Sequence, residues 1–205
     1  TVGFFMKDTR EMILETAYTL FMQSGYNVVT MNDIVTQTGL SKGAFYHHFS
    51  SKEQLFEEVL NHVFFGDFSR DYANMPEVSL KRFMEEELEV VKRRHHTLMD
   101  ALRDEDKYTP INYYTLIFDA MRMFPEFKTR FENFKTDRMN AWIRIIKTAR
   151  AKKEIRTETA DKDLAMMFLY LNQGISLSFI MGSSLRMKYK EIGSLWGAIY
   201  DMIKS

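Results

Sequence analysis

The apolar positions of the chain fall at helical spacing from near its start. From about Lys7 to Gln23, Ile13, Ala17, Leu20 and Phe21 recur on one face, and Ser24-Gly25 supplies a stop, with Gly25 able to take the left-handed conformation. Tyr26 and Val28 then lead to Thr30, whose hydroxyl can cap a second helix starting at Met31, with Ile34 and Val35 turned inward and Gly39 at its end. In the turn Thr38-Gly39-Leu40-Ser41, Gly39 permits a positive φ, Leu40 is an apolar plug and Ser41 is a ready cap for the next helix. That third helix, Lys42 to His48, spans only about two turns and is too short to stand alone. Phe45 and Phe49, four apart, anchor it. A fourth is expected from Lys52 to about Asp71, apolar on more than one face.

Beyond Asn74-Met75-Pro76 the pattern remains helical, punctuated by Pro76, Pro110 and Pro125 and free of alternating strand or hairpin signals. The expected spans are 77–104, 110–124, 126–153, 160–184 and 189–204. The runs Glu85-Glu86-Glu87 and Lys92-Arg93-Arg94 read as solvated faces of one helix. The expected domains are residues 1–51, a connecting helix 52–73, and residues 74–205.

Helix, tight glycine turn and capped second helix, in that order, are the chemistry of a helix-turn-helix. With Phe45 and Phe49 inward, Lys42, Gly43, Ala44, Tyr46 and His47 lie on or near the outer surface, where a recognition helix presents its first turns to bases and phosphates. His48 reads equally as a packed residue. Charge complicates this picture. The whole chain of 205 residues is formally neutral, and residues 1–62 carry Lys7, Arg10, Lys42 and Lys52 against seven carboxylates, a balance of −3. Between Asp33 and Glu53, however, there is no acidic residue, and a phosphate meets the local field rather than the sum.

The run from Arg10 through Ile13, Ala17, Phe21, Gly25 and Thr30 to Ile34, then Gly39-Leu40-Ser41-Lys42-Gly43, Phe45-Tyr46, His48-Phe49, Ser51-Lys52-Glu53 and Leu55, resembles the DNA-binding domain of the tetracycline-repressor (TetR-like) family. The resemblance covers roughly the first 60 residues without a gap. Val35 and His47 depart slightly from the family pattern. What the resemblance implies is an all-α protein, with an N-terminal three-helix helix-turn-helix domain and a C-terminal helical domain for ligand binding and dimerisation. It also implies roles: Thr30 on phosphate through its hydroxyl and backbone N–H, Lys42 and Ala44 facing bases, Tyr46 and His47 reaching phosphate or base, and Lys52 holding the DNA backbone. Ser41 and Gly43 complete the expected DNA-binding set.

The region from 74 onward holds eleven of the fifteen methionines and many aromatics, an adaptable lining for a small apolar or amphipathic effector, or simply a core. Candidate ligand residues are Phe83, Asn112, Tyr113, Phe118, Arg122, Phe131, Trp142, Phe168, Asn172 and Gln173. Residues 164–185 run 22 positions without a charge. The polar groups Asn172, Gln173, Gly174, Ser176 and Ser178 within this segment favour a buried helix in a helical assembly over a membrane span. Together with the stripe Leu195, Trp196, Ile199, Met202 and Ile203 it suggests a four-helix homodimer interface, with Leu171, Gly174, Ser178, Leu195, Trp196, Ile199 and Ile203 as contacts. The absence of cysteine and of a signal-peptide pattern fits a cytoplasmic protein. No phosphate loop or nucleophile elbow is present. The pairs His47-His48 and His95-His96 point about 100° apart on a helix and make poor joint metal ligands. The expectation is therefore a non-enzymatic regulator without cofactor or metal, reading a palindromic double-stranded operator as a homodimer. The alternatives are a helical carrier or interaction protein that has lost DNA binding, or an enzyme.

Overall fold

A computed structural model describes residues 8–66, 70–100, 111–181 and 189–205, the side chains of 94–100 and 179–181 excepted. Its helices are α1 (Thr9–Ser24), α2 (Met31–Thr38), α3 (Lys42–His48), α4 (Lys52–Phe65), α5 (Leu80–Asp100), α6 (Ile111–Met123), α7 (Pro125–Ala151), α8 (Asp161–Met181) and α9 (Tyr189–Ile203). Among the described residues there is no strand, only a single antiparallel bridge between Ile155 and Lys204. The fold is all-α. No helix among these residues is long and apolar enough to cross a membrane. The tails of two expected spans, 101–104 and 182–184, and the side chains of the pair His95-His96 lie outside what is described.

The chain divides into two compact units, residues 1–69 with 97–127, and residues 70–96 with 128–205. In the first, each helix through α4 starts on a side-chain cap, which satisfies N–H groups that the helix itself leaves open. Asp8 accepts from the Arg10 N–H at 3.2 Å, Thr30 from Asp33 at 3.2 Å, Ser41 from Ala44 at 3.3 Å and Ser51 from Gln54 at 3.1 Å. Ile13, Phe21, Ile34, Phe45, Leu55 and Phe56 fill the centre, all fully buried. Tyr26 stacks on Phe56 at 4.3 Å, and Phe21 meets the same ring edge-on at 5.3 Å.

Two features of this unit differ from the pattern-based expectation. Helix α4 ends at Phe65, not near Asp71, because Gly66 takes over as the cap and its N–H bonds back to the His62 carbonyl. Helix α6, expected to belong with residues 74–205, packs on α1 instead. Its Asn112 amide donates to the Met22 and Gln23 carbonyls at 2.7 and 3.2 Å. Those are carbonyls of the last turn of α1, which lack partners inside the helix.

The second unit is organised by antiparallel register. The Glu154 carboxylate, just past α7, accepts from the Leu80 and Lys81 N–H groups at the start of α5, at 3.0 and 3.1 Å. Further along the same two helices Phe83 packs edge-on to Trp142 at 4.8 Å, and one turn beyond that Arg138 binds Glu87 at 2.8 to 2.9 Å. On the other side, Arg150 of α7 binds Asp161 at the start of α8, and Phe168 stacks on Trp142 at 4.8 Å with 17° between the rings. Trp196 of α9 closes the cluster, donating its indole N–H to the Phe168 carbonyl at 2.9 Å.

The expectation that Glu85-Glu86-Glu87 is a solvated face fails at its last member. Glu87 is fully buried, held by Arg138 and by the Tyr72 hydroxyl at 2.8 Å. Arg70 pairs with Glu86, lies 3.5 Å from Glu87, and sits over the Phe83 ring. Burial alone would ease the proton off Arg138, but the Glu87 carboxylate more than offsets this and holds the guanidinium above its ordinary value.

Candidate nucleic-acid interface

The interface is built on a two-helix corner. Gly39 has φ +70°, a conformation that costs an L side chain about 1–2 kcal/mol and glycine almost nothing. Thr38 fastens the corner from both sides, donating its hydroxyl to the Val35 carbonyl at 2.8 Å and accepting from the Leu40 N–H at 3.4 Å. Past the turn, Phe45 and Phe49 are fully buried, which fixes the rotation of α3 about its axis. That rotation leaves Ser41, Lys42, Gly43, Ala44, Tyr46 and His47 exposed, while His48 is half-buried. No atom lies within 4 Å of where a Gly43 side chain would begin, so the first turn of α3 is open to close approach.

Thr30 and Lys52 are placed differently from their implied roles. Asp33 accepts from both Thr30 donors meant for phosphate, the N–H at 2.8 Å and the hydroxyl at 2.7 Å. Those bonds hold the Asp33 carboxyl below its ordinary value. The Lys52 ammonium donates to the Val29 carbonyl at 2.6 Å and lies 4.3 Å over the Tyr26 ring. Burial, aided by neighbouring Glu53, pushes the Tyr26 hydroxyl up to about 12. In the chain as it stands, Lys52 fastens the Tyr26–Thr30 connection to α4. Asp33 was legible in principle, since Thr30 and Asp33 have the three-residue spacing of a capping box. Val28, 69% exposed beside Thr30, is a further apolar side chain on this connection.

The ten candidate ligand residues are not gathered in one place. Asn112, Tyr113, Phe118 and Arg122 belong to the first unit, where Asn112 is committed to α1, Phe118 is 65% exposed and Arg122 pairs with Asp119 at 2.9 Å. Phe83, Trp142, Phe168 and Asn172 are buried in the second unit, Phe131 is half-buried there and Gln173 is exposed. Of the dimer candidates, Gly174, Ser178 and Leu195 are exposed and Leu171 is half-buried. Trp196, Ile199 and Ile203 are buried within the chain itself, because their face of α9 turns to Trp142 and Phe168.

The model of the family described as bacterial regulatory proteins, tetR family, matches residues 13–59, the stretch from mid-α1 through most of α4. The HTH-type transcriptional regulator YuxN of Bacillus subtilis is 43% identical over 65 residues, 32% of this chain but only 22% of its own length. The HTH-type transcriptional repressor KstR2 of Mycolicibacterium smegmatis is 28% identical over 165 residues, 78% of this chain and 73% of its own. A TetR-family regulator from a Rhodococcus species superposes with a TM-score of 0.64 at 18% identity, covering 97% of this chain and all of that one, a likeness of fold. A capped helix-turn-helix at the start of an all-helical chain, matched in sequence over residues 13–59 and in fold throughout, marks a DNA-binding regulator whose N-terminal part is a DNA-binding domain of the bacterial regulatory proteins, tetR family.

Proposed function

We propose that this regulator is a repressor that binds a palindromic operator as a homodimer and is released by a small apolar or amphipathic effector bound by its C-terminal region. The observation that carries the DNA-reading part is the outer face of α3, where small, basic and aromatic side chains stand exposed over a buried Phe45–Phe49 anchor. On that face Lys42 donates to guanine edges or phosphate, Ala44 and Gly43 admit close approach, and Tyr46 and His47 reach the backbone. Thr30 joins them when a phosphate displaces Asp33. Lys52 acts through the connection it fastens.

The dimer reading is supported by one apolar face left open on α8 and α9. Met167, Tyr170 and Leu177 are 45%, 53% and 47% exposed at helical spacing, beside Leu195 at 44% and Met202 at 76%. Gly174 and Gly197 have no atom within 4 Å of where a side chain would begin, leaving room for a second pair of helices to approach closely. Two such chains related by a twofold axis would present their α3 helices about 34–36 Å apart, one turn of DNA. Helix α4 is the element through which an effector would alter that spacing. To go from nearly all DNA-competent to nearly all released, the effector must favour one state by about 5.5 kcal/mol.

The test is footprinting with the wild type and Tyr46→Ala on DNA selected by the protein. A symmetric footprint for the wild type, and its loss in a variant of unchanged helicity, is the expected result. An unchanged footprint in Tyr46→Ala and in Lys42→Ala would remove α3 as the reading head.

A further inference from the structure

Among the described residues, two fully or almost fully buried side chains in the second unit have a polar atom with no hydrogen-bonding partner, Trp142 Nε1 and Asn172 Oδ1. Trp142 is 0% and Asn172 7% exposed. Folded interiors rarely leave such atoms bare, because each gives up a bond it had with water. The pair is complementary, since an indole N–H only donates and an amide oxygen only accepts. They are also neighbours in the register of the core. Phe168 is the ring stacked on Trp142, and Asn172 follows Phe168 by one turn of α8, about 6 Å along the axis. One hydroxyl that accepts from the first group and donates to the second reaches across about 5.5 Å.

The surroundings decide the charge of whatever supplies that hydroxyl. The layer one turn along α5 and α7 contains Glu87, but its carboxylate is already taken by Arg138 and the Tyr72 hydroxyl, and Arg70 is paired with Glu86. A carboxylate or ammonium brought in here would be desolvated, and the nearby guanidiniums already serve other partners, Arg70 the Glu86 carboxylate and Arg144 the Tyr72 carbonyl at 3.0 Å. The side chains around Trp142 are aromatic, with Phe83 and Trp196 set edge-on to it at 4.8 and 5.3 Å.

We propose that the Trp142–Asn172 corner is a recognition site for an uncharged, hydroxyl-bearing apolar molecule, whose hydroxyl accepts from Trp142 Nε1 and donates to Asn172 Oδ1. This rests on the effector-gated reading above and adds the chemical class of the effector.

The experiment is calorimetric titration of the full chain, without DNA, at neutral pH, using four probes on one skeleton: 1-naphthol, naphthalene, 1-naphthoate and 1-naphthylmethylammonium. The expected result is that 1-naphthol binds at least about tenfold more tightly than each of the others. Trp142→Phe and Asn172→Leu should each erase most of its advantage over naphthalene while leaving naphthalene binding in place. If 1-naphthol does no better than naphthalene, if 1-naphthoate binds as well, or if no probe binds because ordered water fills both bonds, the proposal is overturned. The comparison among probes on the wild type holds even where a variant folds poorly. Operator retention, measured separately, keeps the two readings apart: binding of 1-naphthol by a protein that retains no operator supports this site and sinks the repressor reading.

Discussion

On the proposed reading of Thr30 as a phosphate contact, Asp33 puts a carboxylate in competition with DNA. It holds both Thr30 donors, so a phosphate arriving at the start of α2 must replace it. Asp33→Ala should therefore tighten operator binding by about two- to five-fold, read by fluorescence anisotropy, while lowering the melting temperature through the lost cap. The pH dependence has a definite sign. A carboxyl whose folded value is depressed adds stability that is present above its unfolded value, 3.8 here, and is lost as pH falls through the folded one. The melting difference between wild type and Asp33→Ala should be full at neutral pH and vanish in strong acid. Lys52→Met, which removes the ammonium from the Val29 carbonyl and the Tyr26 ring, should cost about 1–3 kcal/mol in urea unfolding. It should also lower the salt dependence of operator binding less than Lys42→Ala does, which should remove about one unit of slope for each phosphate no longer neutralised. At this scale the turn residues Gly39 and Ser41 and the buried Phe45 and Phe49 were readable, because a cap, a positive φ and an i, i+4 aromatic pair are local chemistry. The partners of Thr30 and Lys52 were not, since each group has two suitors and only the folded geometry chooses between them.

Helix positions were legible and helix partners were not. Periodicity placed the described starts and ends of α5 through α9 within a few residues, as expected where Pro76 and Pro125 interrupt a continuous pattern. Which helix α6 would pack on depends on Asn112 finding two carbonyls ninety residues earlier, and no pattern along α6 announces that. Asn112→Leu should destabilise the chain by roughly 1–3 kcal/mol in chemical unfolding, because the Met22 and Gln23 carbonyls lose their donor while partly buried. Glu87 was misread for a related reason. In sequence it is one of three adjacent glutamates, and its opposite number, Arg138, is 51 residues away. Glu87→Gln should cost about 3 kcal/mol or more, since it strands Arg138 in the interior, whereas Glu86→Gln, at 33% side-chain exposure, should cost far less.

For the molecule as a whole, the open face of α8 and α9 carries the strongest prediction. Leu177→Arg or Met202→Arg places a charge on an already exposed position, so it should leave the melting of the chain nearly unchanged. It should convert a dimer to a monomer in sedimentation, and operator binding should fall with it. Sequence pattern pointed to these two helices but included their inward side, because Leu195 and Trp196, adjacent in the chain and about 100° apart around α9, fall on either side of the line between solvent and core.

The interleaving of the two units also dictates an order of events during synthesis. Helices α1 to α4 leave the ribosome first, but the last turn of α1 stays without its donor until Asn112 arrives, and residues 70–96, made in between, belong to the other unit. At ordinary elongation rates the 62 residues from Gly66 to Phe127 take roughly 3 to 12 seconds, an interval in which the nascent α1 face is exposed to chaperones. The first unit then closes before α8 and α9 have been made. In the proposed homodimer each chain would then complete its α3 face alone and meet its partner only after release, so pairing should follow cellular concentration and not the spacing of ribosomes on a message.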